Sequence, residues 1–311
     1  MSKITFTEVS LRDGLQNESI IVPTSKKIEL INKVIDAGIK SIEVGSYVHP
    51  KLVPQMADID ELMESLQRLK DVKYSVLIPN LKGAERAVSS KPDEFNLLVS
   101  ASDSHNLANI KKTTFETLKD QEAVVNLAYK NGINCTGGIA TTFGCPFEGV
   151  IPIERVLSVI RGYVDMGVTK ISLADTTGMS NPKQIRDYLR IIKTEFSVDK
   201  IKIKLHLHNT RGLGLANILV AYEEGITHFD SSLAGIGGCP FAPGASGNVC
   251  TEDVVNMFEE IGIDTNLDLD KLVDTAKLLE EILGYQLPGQ LMKSGKTTRL
   301  TDIAKYTSKL K

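Results

Sequence analysis

The stretch IERVLSVIRGYVDMGVTKISLADTTG, residues 153–178, contains the unit from which most of the chain is built. Its first half has apolar residues at helical spacing, and its second half is a short β-rich run that ends in polar residues. Gly167 separates the two, at the point where a left-handed residue closes the last turn of a helix. The stretch therefore predicts a helix, a tight turn and a strand.

The same junction recurs at Gly38, Gly132 and Gly225, each followed by an apolar residue that leads into a β-rich run. Helical stretches, among them 25–37, 115–131, 153–166 and 182–196, alternate with eight strand candidates at residues 4–10, 41–47, 73–79, 94–100, 134–141, 170–176, 202–208 and 228–234. Eight alternating units fit a closed parallel barrel better than an open sheet. No G-x-G-x-x-G follows the first strand, which argues against dinucleotide binding. We predict an α/β fold of the (β/α)8 TIM-barrel type.

The pattern changes after about residue 265. A helical stretch at 267–283 is followed by a polar segment with Pro and Gly at 284–295, and then by a short tail that we predict to be helical. Because this end is too short to hold a core alone, we interpret residues 1–265 as the catalytic barrel domain. Residues 266–311 are then a C-terminal helical appendage packed on the barrel.

Composition argues against several classes of partner. The 311 residues are 42% hydrophobic and carry a net charge of -3, which gives no electrostatic reason to expect nucleic acid or an anionic membrane. No apolar run reaches the roughly 20 residues that cross a bilayer. The four cysteines contain no Cys-x-x-Cys, and neither terminus carries a signal-peptide or peroxisomal pattern. We therefore expect a cytoplasmic protein with reduced thiols. We also expect a homodimer.

His206 and His208 are two residues apart in a strand candidate, so both imidazoles project to one face. A single histidine at a strand end is more often a core or rim residue, but two of the chain's five histidines at this spacing favour a metal site. Asp13 and Asn248 follow other strands and would add oxygen ligands. This set of donors suits a six-coordinate Mg²⁺ or Mn²⁺ with positions open to substrate.

Three charged residues near the predicted strand ends are further catalytic candidates. Arg12 directly precedes Asp13 and could hold a developing enolate oxygen. Glu43 lies in an apolar strand and must be paired, with Arg12 as the obvious partner, so an ion pair and a direct catalytic role are equally good interpretations. Asp175 either caps the next helix or orients a substrate hydroxyl or a water molecule.

Cys239 lies in the glycine-rich segment 237–247, which we predict to be a mobile loop above the barrel mouth. This placement favours an acid, base or gating role for the thiol. A phosphate cradle is a competing interpretation of the glycines, although the Walker pattern is absent. Gln16, Ser46 and Thr176 lie at strand ends and are expected to contact substrate together with Arg12.

Five stretches, at residues 12–18, 53–56, 174–178, 206–210 and 237–248, together resemble the 3-hydroxy-3-methylglutaryl-CoA lyase family. More broadly they resemble the metal-dependent barrel enzymes that include isopropylmalate and homocitrate synthases. The synthases typically continue Arg-Asp-Gly with Glu-Gln and carry a Gly-Glu-Arg loop. This chain instead has Leu-Gln-Asn-Glu and a Gly-Gly-Cys-Pro loop, as the lyases do, although residues 209–214 partly resemble the synthases.

The resemblance implies cleavage of 3-hydroxy-3-methylglutaryl-CoA (HMG-CoA) to acetyl-CoA and acetoacetate by retro-Claisen chemistry. It implies a divalent metal on Asp13, His206, His208 and Asn248, and an enolate held by Arg12. Asp13 or His206 would act as base, and Cys239 or His206 would protonate the enolate carbon. Three alternatives stay open: forward condensation of acetyl-CoA with a 2-oxo acid, cleavage of another hydroxy acid or hydroxyacyl-CoA, and a non-catalytic binding protein on the same barrel.

Overall fold

Eight parallel strands close into a barrel in the structure, a computed structural model that describes residues 4–197, 200–238, 247–300 and 303. The strands are β1 (Thr5–Glu8), β2 (Ser41–Ser46), β3 (Lys73–Leu77), β4 (Glu94–Ser100), β5 (Asn134–Ala140), β6 (Gly144–Cys145), β7 (Gly149–Val150), β8 (Lys170–Asp175), β9 (Lys202–Leu207) and β10 (His228–Ser231). The barrel order is β1-β10-β9-β8-β5-β4-β3-β2, and β6 and β7 form a separate antiparallel pair. The predicted TIM barrel is confirmed.

Helices follow the strands around the barrel. They are α1 (Thr24–Asp36), α2 (Ile59–Ser65), α3 (Leu81–Val88), α4 (Asp103–Ile110), α5 (Thr114–Lys130), α6 (Ile153–Asp165), α7 (Pro182–Glu195), α8 (Gly214–Glu223), α9 (Thr251–Glu260), α10 (Leu269–Leu283) and α11 (Leu291–Ser294). In the described part of the chain, no helix has the length and hydrophobicity that crossing a membrane requires.

The four predicted helix-to-strand glycines have the backbone conformation that the pattern requires. Gly38, Gly132, Gly167 and Gly225 have φ values of +104°, +70°, +81° and +82°, a region that side chains with a Cβ rarely adopt. Each lies just after a helix and turns the chain into the next strand. These glycines explain why sequence alone located the strands to within a few residues.

The inside of the barrel is polar, whereas the outside of the strands packs on the helices. Glu43, Glu94, Lys204, His206 and Asp230 are all buried. The strand register places Asp230 of β10 beside His206 of β9, so the two side chains share the inner face. A buried charge is stable only when it is paired. The side chains inside the barrel accordingly form ion pairs and hydrogen bonds with one another.

The C-terminal segment packs on the barrel. Lys271 Nζ of α10 lies 2.7 Å from Asp36 Oδ2 of α1, and Gly289 N donates to the carbonyl of Ala234 over 2.9 Å. Helix α11 lies inside the polar stretch 284–295, residues 297–298 form a turn, and the helical tail predicted beyond residue 295 remains a prediction. Most of the tail beyond them lies outside the described residues. The domain boundary near residue 265 remains a proposal.

Glu252 supports the segment that follows β10. Its Oε2 accepts a hydrogen bond from Ala234 N over 3.1 Å, and Ala234 has a left-handed backbone with φ of +54°. Burial raises the pKa of Glu252 to about 8. Between pH 4.5 and 8 the folded chain therefore keeps a proton that the unfolded chain has released, and stability falls as pH rises through this window.

We expect Glu252→Gln, which stays neutral, to be more stable than the parent chain at pH 9 by more than about 1.4 kcal/mol, the equivalent of one pKa unit. The gain should shrink towards pH 5, where the glutamate is mostly protonated in the folded chain. Urea unfolding of both chains at pH 5, 7 and 9 measures the gain in stability and its dependence on pH. Glu64→Gln, on the exposed face of α2, is the matched control and should show no such trend. A gain that does not depend on pH would contradict this assignment.

Candidate functional site

The carboxyl ends of β1 and β9 bring the predicted residues together. After β1 the backbone makes a wide helical turn over Ser10–Gly14, in which Asp13 N donates to the carbonyl of Val9 over 2.8 Å. A Cβ on Gly14 would lie 2.7 Å from the Ile236 side chain, so only glycine fits there without displacing Ile236. This turn directs Asp13 towards the imidazoles at the end of β9.

Asp13, His206 and His208 converge on one point. His206 Nε2 lies 3.2 Å from His208 Nε2. Asp13 Oδ2 lies 3.7 Å from His206 Nε2 and 3.6 Å from His208 Nε2. All three side chains are buried. Three donor atoms at these separations have the spacing of ligands that share one cation.

Asn248 completes the donor set. Its Nδ2 donates to Asp13 Oδ2 over 2.7 Å and to the carbonyl of Ile236 over 3.1 Å, which fixes the amide beside the three other residues. Its Oδ1 is buried and has no hydrogen-bond partner among the described residues. An unpaired buried carbonyl oxygen is costly unless a ligand uses it. Two imidazoles, a carboxylate and this oxygen fit a divalent cation of the Mg²⁺ or Mn²⁺ type.

Asp230 orients the His206 imidazole through Nδ1, the ring nitrogen that does not face Asp13 and His208. Its Oδ2 lies 3.2 Å from His206 Nδ1, and its Oδ1 accepts from Lys204 Nζ over 3.0 Å. Burial lowers the pKa of His206, but hydrogen bonds to Asp13 and Asp230 outweigh it and raise that pKa to about 9. Burial lowers the pKa of His208 to about 4. A bound cation would displace the Nε2 proton, and the carboxylate that accepts from Nδ1 would then keep the Nε2 lone pair directed at the cluster of Asp13, His206 and His208.

We expect Asp230→Asn to weaken Mn²⁺ binding by about 10- to 100-fold, as is typical when a partner behind a metal-bound histidine is lost. Isothermal titration of the purified chain measures the affinity. Asp187→Asn removes an exposed carboxylate that pairs with Lys183 on α7, and it should leave Mn²⁺ affinity unchanged. Equal affinities in the parent chain and Asp230→Asn would exclude the orienting role.

Arg12 lies against the cluster and is paired as predicted. Its Nε donates to Glu43 Oε2 over 2.7 Å, and its Nη1 donates to Asp13 Oδ1. Asn96 Nδ2 holds the other oxygen of Glu43 over 2.8 Å. Among the described residues no hydrogen bond engages Arg12 Nη2. Glu43 therefore fixes the guanidinium, and Nη2 remains available to a substrate oxygen.

The predicted substrate-contacting residues fall into two groups. Gln16 Nε2 donates to Asp13 Oδ1 over 3.2 Å and so belongs to the cluster. Ser46 Oγ instead donates to the carbonyl of Leu77 over 3.3 Å, and Thr176 Oγ1 accepts from Thr141 N over 3.0 Å. Leu77 is the last residue of β3 and Thr141 follows β5, and among the described residues no hydrogen bond joins either hydroxyl to the cluster. Their contact with substrate remains a prediction.

Asp175 holds a turn. Its oxygens accept from Met179 N over 2.8 Å and from Ser180 N over 3.0 Å. It pairs in register with Leu207, one residue past His206, so its side chain lies on the opposite face of the sheet from the imidazole. It does not cap α7 either, because Asn181 does. These contacts give no support to a catalytic role. The predicted role of Cys239 lies outside the described residues.

Three residues around the cluster escaped the sequence analysis: Asn96, Lys204 and Asp230. Lys204 shares the two-residue spacing of His206 and His208, and Asp230 is the one acid in the strand candidate at residues 228–234. The sequence therefore indicates that Lys204 and Asp230 carry buried charges. It does not indicate which side chains they pair with.

Comparison with known proteins adds four findings. The HMGL-like family matches residues 3–279. Hydroxymethylglutaryl-CoA lyase of Bacillus subtilis is 41% identical, over 95% of this chain and 98% of its own. (R)-citramalyl-CoA lyase of Chloroflexus aurantiacus is 38% identical, over 99% of this chain and 100% of its own. The solved structure of an HMG-CoA lyase of Acinetobacter baumannii, in complex with coenzyme A and 3-methylmalate, is similar to this one, with a TM-score of 0.92. The two sequences are 48% identical, and the match covers 97% of this chain and 98% of that chain.

Proposed function

Because this chain belongs to the HMGL-like family, we propose that it is a metal-dependent lyase that cleaves HMG-CoA to acetyl-CoA and acetoacetate. The observation that carries the proposal is the convergence of Asp13, His206 and His208 beside Arg12 at the carboxyl end of the barrel. Active sites of this fold lie at that end. Asn248 would be the fourth ligand.

The chain's own residues account for the steps of a retro-Claisen cleavage. A divalent cation, when bound, supplies Lewis acidity and fixes the orientation of the substrate. Asp13 or His206 removes the proton from the C3 hydroxyl, and the C2–C3 bond breaks to release acetoacetate. The electron pair passes to the enolate of acetyl-CoA, whose oxygen Arg12 Nη2 stabilises. His206 or Cys239 returns a proton to the enolate carbon.

Citramalyl-CoA is the second candidate substrate, since its lyase is 38% identical across the whole chain. It shares with HMG-CoA the thioester, the C3 hydroxyl, the C3 methyl group and a terminal carboxylate. Its carboxylate is one carbon closer to C3, and its cleavage gives pyruvate in place of acetoacetate. Both reactions need the same metal and the same enolate stabilisation, so the length of the carboxylate arm distinguishes them.

A direct comparison of kcat/KM for the two thioesters, with Mg²⁺ or Mn²⁺, tests the substrate. We expect HMG-CoA to be preferred by at least about tenfold, since one methylene is worth roughly 1–3 kcal/mol in a fitted site. The reverse preference would keep the reaction and reassign the substrate. Failure to cleave either thioester, together with condensation of acetyl-CoA and a 2-oxo acid, would favour the synthase alternative.

The remaining assignments are proposals with narrower support. Mg²⁺ and Mn²⁺ fit the oxygen and nitrogen donors equally well. Three cysteines, Cys135, Cys145 and Cys250, are buried and not in disulfides, which agrees with a reducing compartment such as the cytoplasm. A homodimer, the absence of a nucleic-acid partner and the division near residue 265 rest on the sequence alone.

A further inference from the structure

A cavity of about 670 Å³ opens at the end of the barrel opposite the candidate active site. Its lining includes the first residues of seven barrel strands: Thr5, Ser41, Lys73, Glu94, Lys170, Lys202 and His228. The metal-ligand candidates lie at the other ends of these strands. The cavity is therefore separate from the site described above, and its volume falls in the range of small-molecule sites.

The cavity is strongly basic, although the chain has a net charge of -3. Among the described residues, one carboxylate, Glu94, lines it together with six lysines: Lys40, Lys73, Lys170, Lys193, Lys202 and Lys204. Two of these lysines have a carboxylate outside the cavity, Lys40 with Asp71 and Lys204 with Asp230. Among the described residues Lys202 has no ion pair. The described residues that line this cavity therefore carry more positive than negative charge.

Lys73 and Lys170 share Glu94. Lys170 Nζ donates to Glu94 Oε2, and Lys73 Nζ lies 3.6 Å from the same oxygen. The other oxygen of Glu94 accepts from Thr136 Oγ1 over 2.7 Å. Burial and the neighbouring ammonium of Lys170 lower the pKa of Lys73. One carboxylate cannot neutralise two ammonium groups in a half-buried recess, and an added anion would relieve their repulsion.

Apolar side chains also line the cavity. Ile4, Ile39, Ile201 and Ile226 lie just before strands, Phe196 directly follows α7, and Leu267 lies just before α10. A cavity lined by ammonium groups and apolar side chains favours a ligand that has a compact anionic group and a small apolar group. A phosphate monoester carries close to two negative charges at pH 7 and can contact several ammonium groups at once. We propose that this cavity binds a phosphate monoester with a small apolar group, away from the acyl-CoA site.

Phenyl phosphate is the probe, titrated calorimetrically into the full-length chain at pH 7.5 and fixed ionic strength. We expect one bound equivalent with a Kd below about 1 mM. Phenol has only the apolar part and inorganic phosphate only the head, and each should bind at least about tenfold more weakly. No binding of phenyl phosphate, or equal binding of phenol, would overturn the proposal.

Variants assign the binding to this cavity. Lys73→Gln combined with Lys202→Gln keeps the Lys170–Glu94 ion pair, so the barrel should fold, and we expect affinity for phenyl phosphate to fall by at least about tenfold. Lys183→Gln, a single lysine-to-glutamine change on an exposed part of α7, should have no effect. HMG-CoA cleavage by the double variant should stay within about twofold, which reports a folded barrel. Unchanged phenyl phosphate affinity in the double variant would overturn the proposal without affecting the lyase assignment.

Discussion

Arg12→Gln is expected to lower turnover of HMG-CoA by about 100- to 1000-fold, which corresponds to about 3–4 kcal/mol of transition-state stabilisation. The guanidinium is held by Glu43 through Nε and by Asp13 through Nη1, and its Nη2 is left to meet an oxygen that becomes negative as the C2–C3 bond breaks. A neutral glutamine amide cannot balance that charge. Steady-state kinetics at saturating metal and substrate measure the loss.

The variant also removes a partner of Asp13, so metal affinity has to be measured in the same sample. We expect Mn²⁺ binding to change far less than turnover, because the three converging donors remain in place. Arg12→Lys keeps the charge without the planar fork and should recover only part of the activity. A loss of turnover below about tenfold would rule out Arg12 as the main support of the enolate.

His208→Gln is expected to weaken Mn²⁺ binding by more than about 100-fold and to lower activity in proportion at fixed metal. Loss of a group behind a metal ligand already costs about 10- to 100-fold, and loss of the ligand itself should cost more. The imidazole of His208 is buried, and its Nε2 lies 3.2 Å from His206 Nε2 and 3.6 Å from Asp13 Oδ2. Calorimetry with Mn²⁺ and turnover at several metal concentrations measure the effect.

His228→Gln is the matched control, because it removes another imidazole, which is half-buried, from the adjacent strand. His228 begins β10 at the opposite end of the barrel and contacts Thr7 Oγ1 over 3.0 Å. Metal affinity and turnover should stay close to those of the parent chain. If His228→Gln lost metal as strongly as His208→Gln, the metal site would have been placed at the wrong end of the barrel.

The strand positions and the main donor set could be predicted from sequence for specific reasons. Glycines such as Gly167 mark where each helix ends, because the turn needs a left-handed residue. The spacing of His206 and His208 fixes their common face within one strand, whatever the neighbours are. The pairing of Arg12 with Glu43 followed from the cost of an unpaired buried charge, and the structure confirms it.

Contacts between strands could not be predicted in the same way. Asp230 reaches His206 only because β10 and β9 pair in one particular register, and the pattern of a single strand does not contain that register. Asp175, Ser46 and Thr176 lie at strand ends as expected, but their side chains bond to backbone atoms of neighbouring residues. Short polar side chains at such positions often do so, and sequence cannot say which partner they take.

The measurement that tests the account most directly is release of acetyl-CoA and acetoacetate from HMG-CoA, assayed with Mn²⁺, after chelation, and after Mn²⁺ is restored. We predict equimolar products at a turnover of about 1 s⁻¹ or more, loss of release on chelation, and full recovery with the metal. Undiminished release by a chain shown to be free of metal would contradict the proposed role of Asp13, His206, His208 and Asn248. No release by the folded, metal-bound chain would contradict the assignment of HMG-CoA as the substrate.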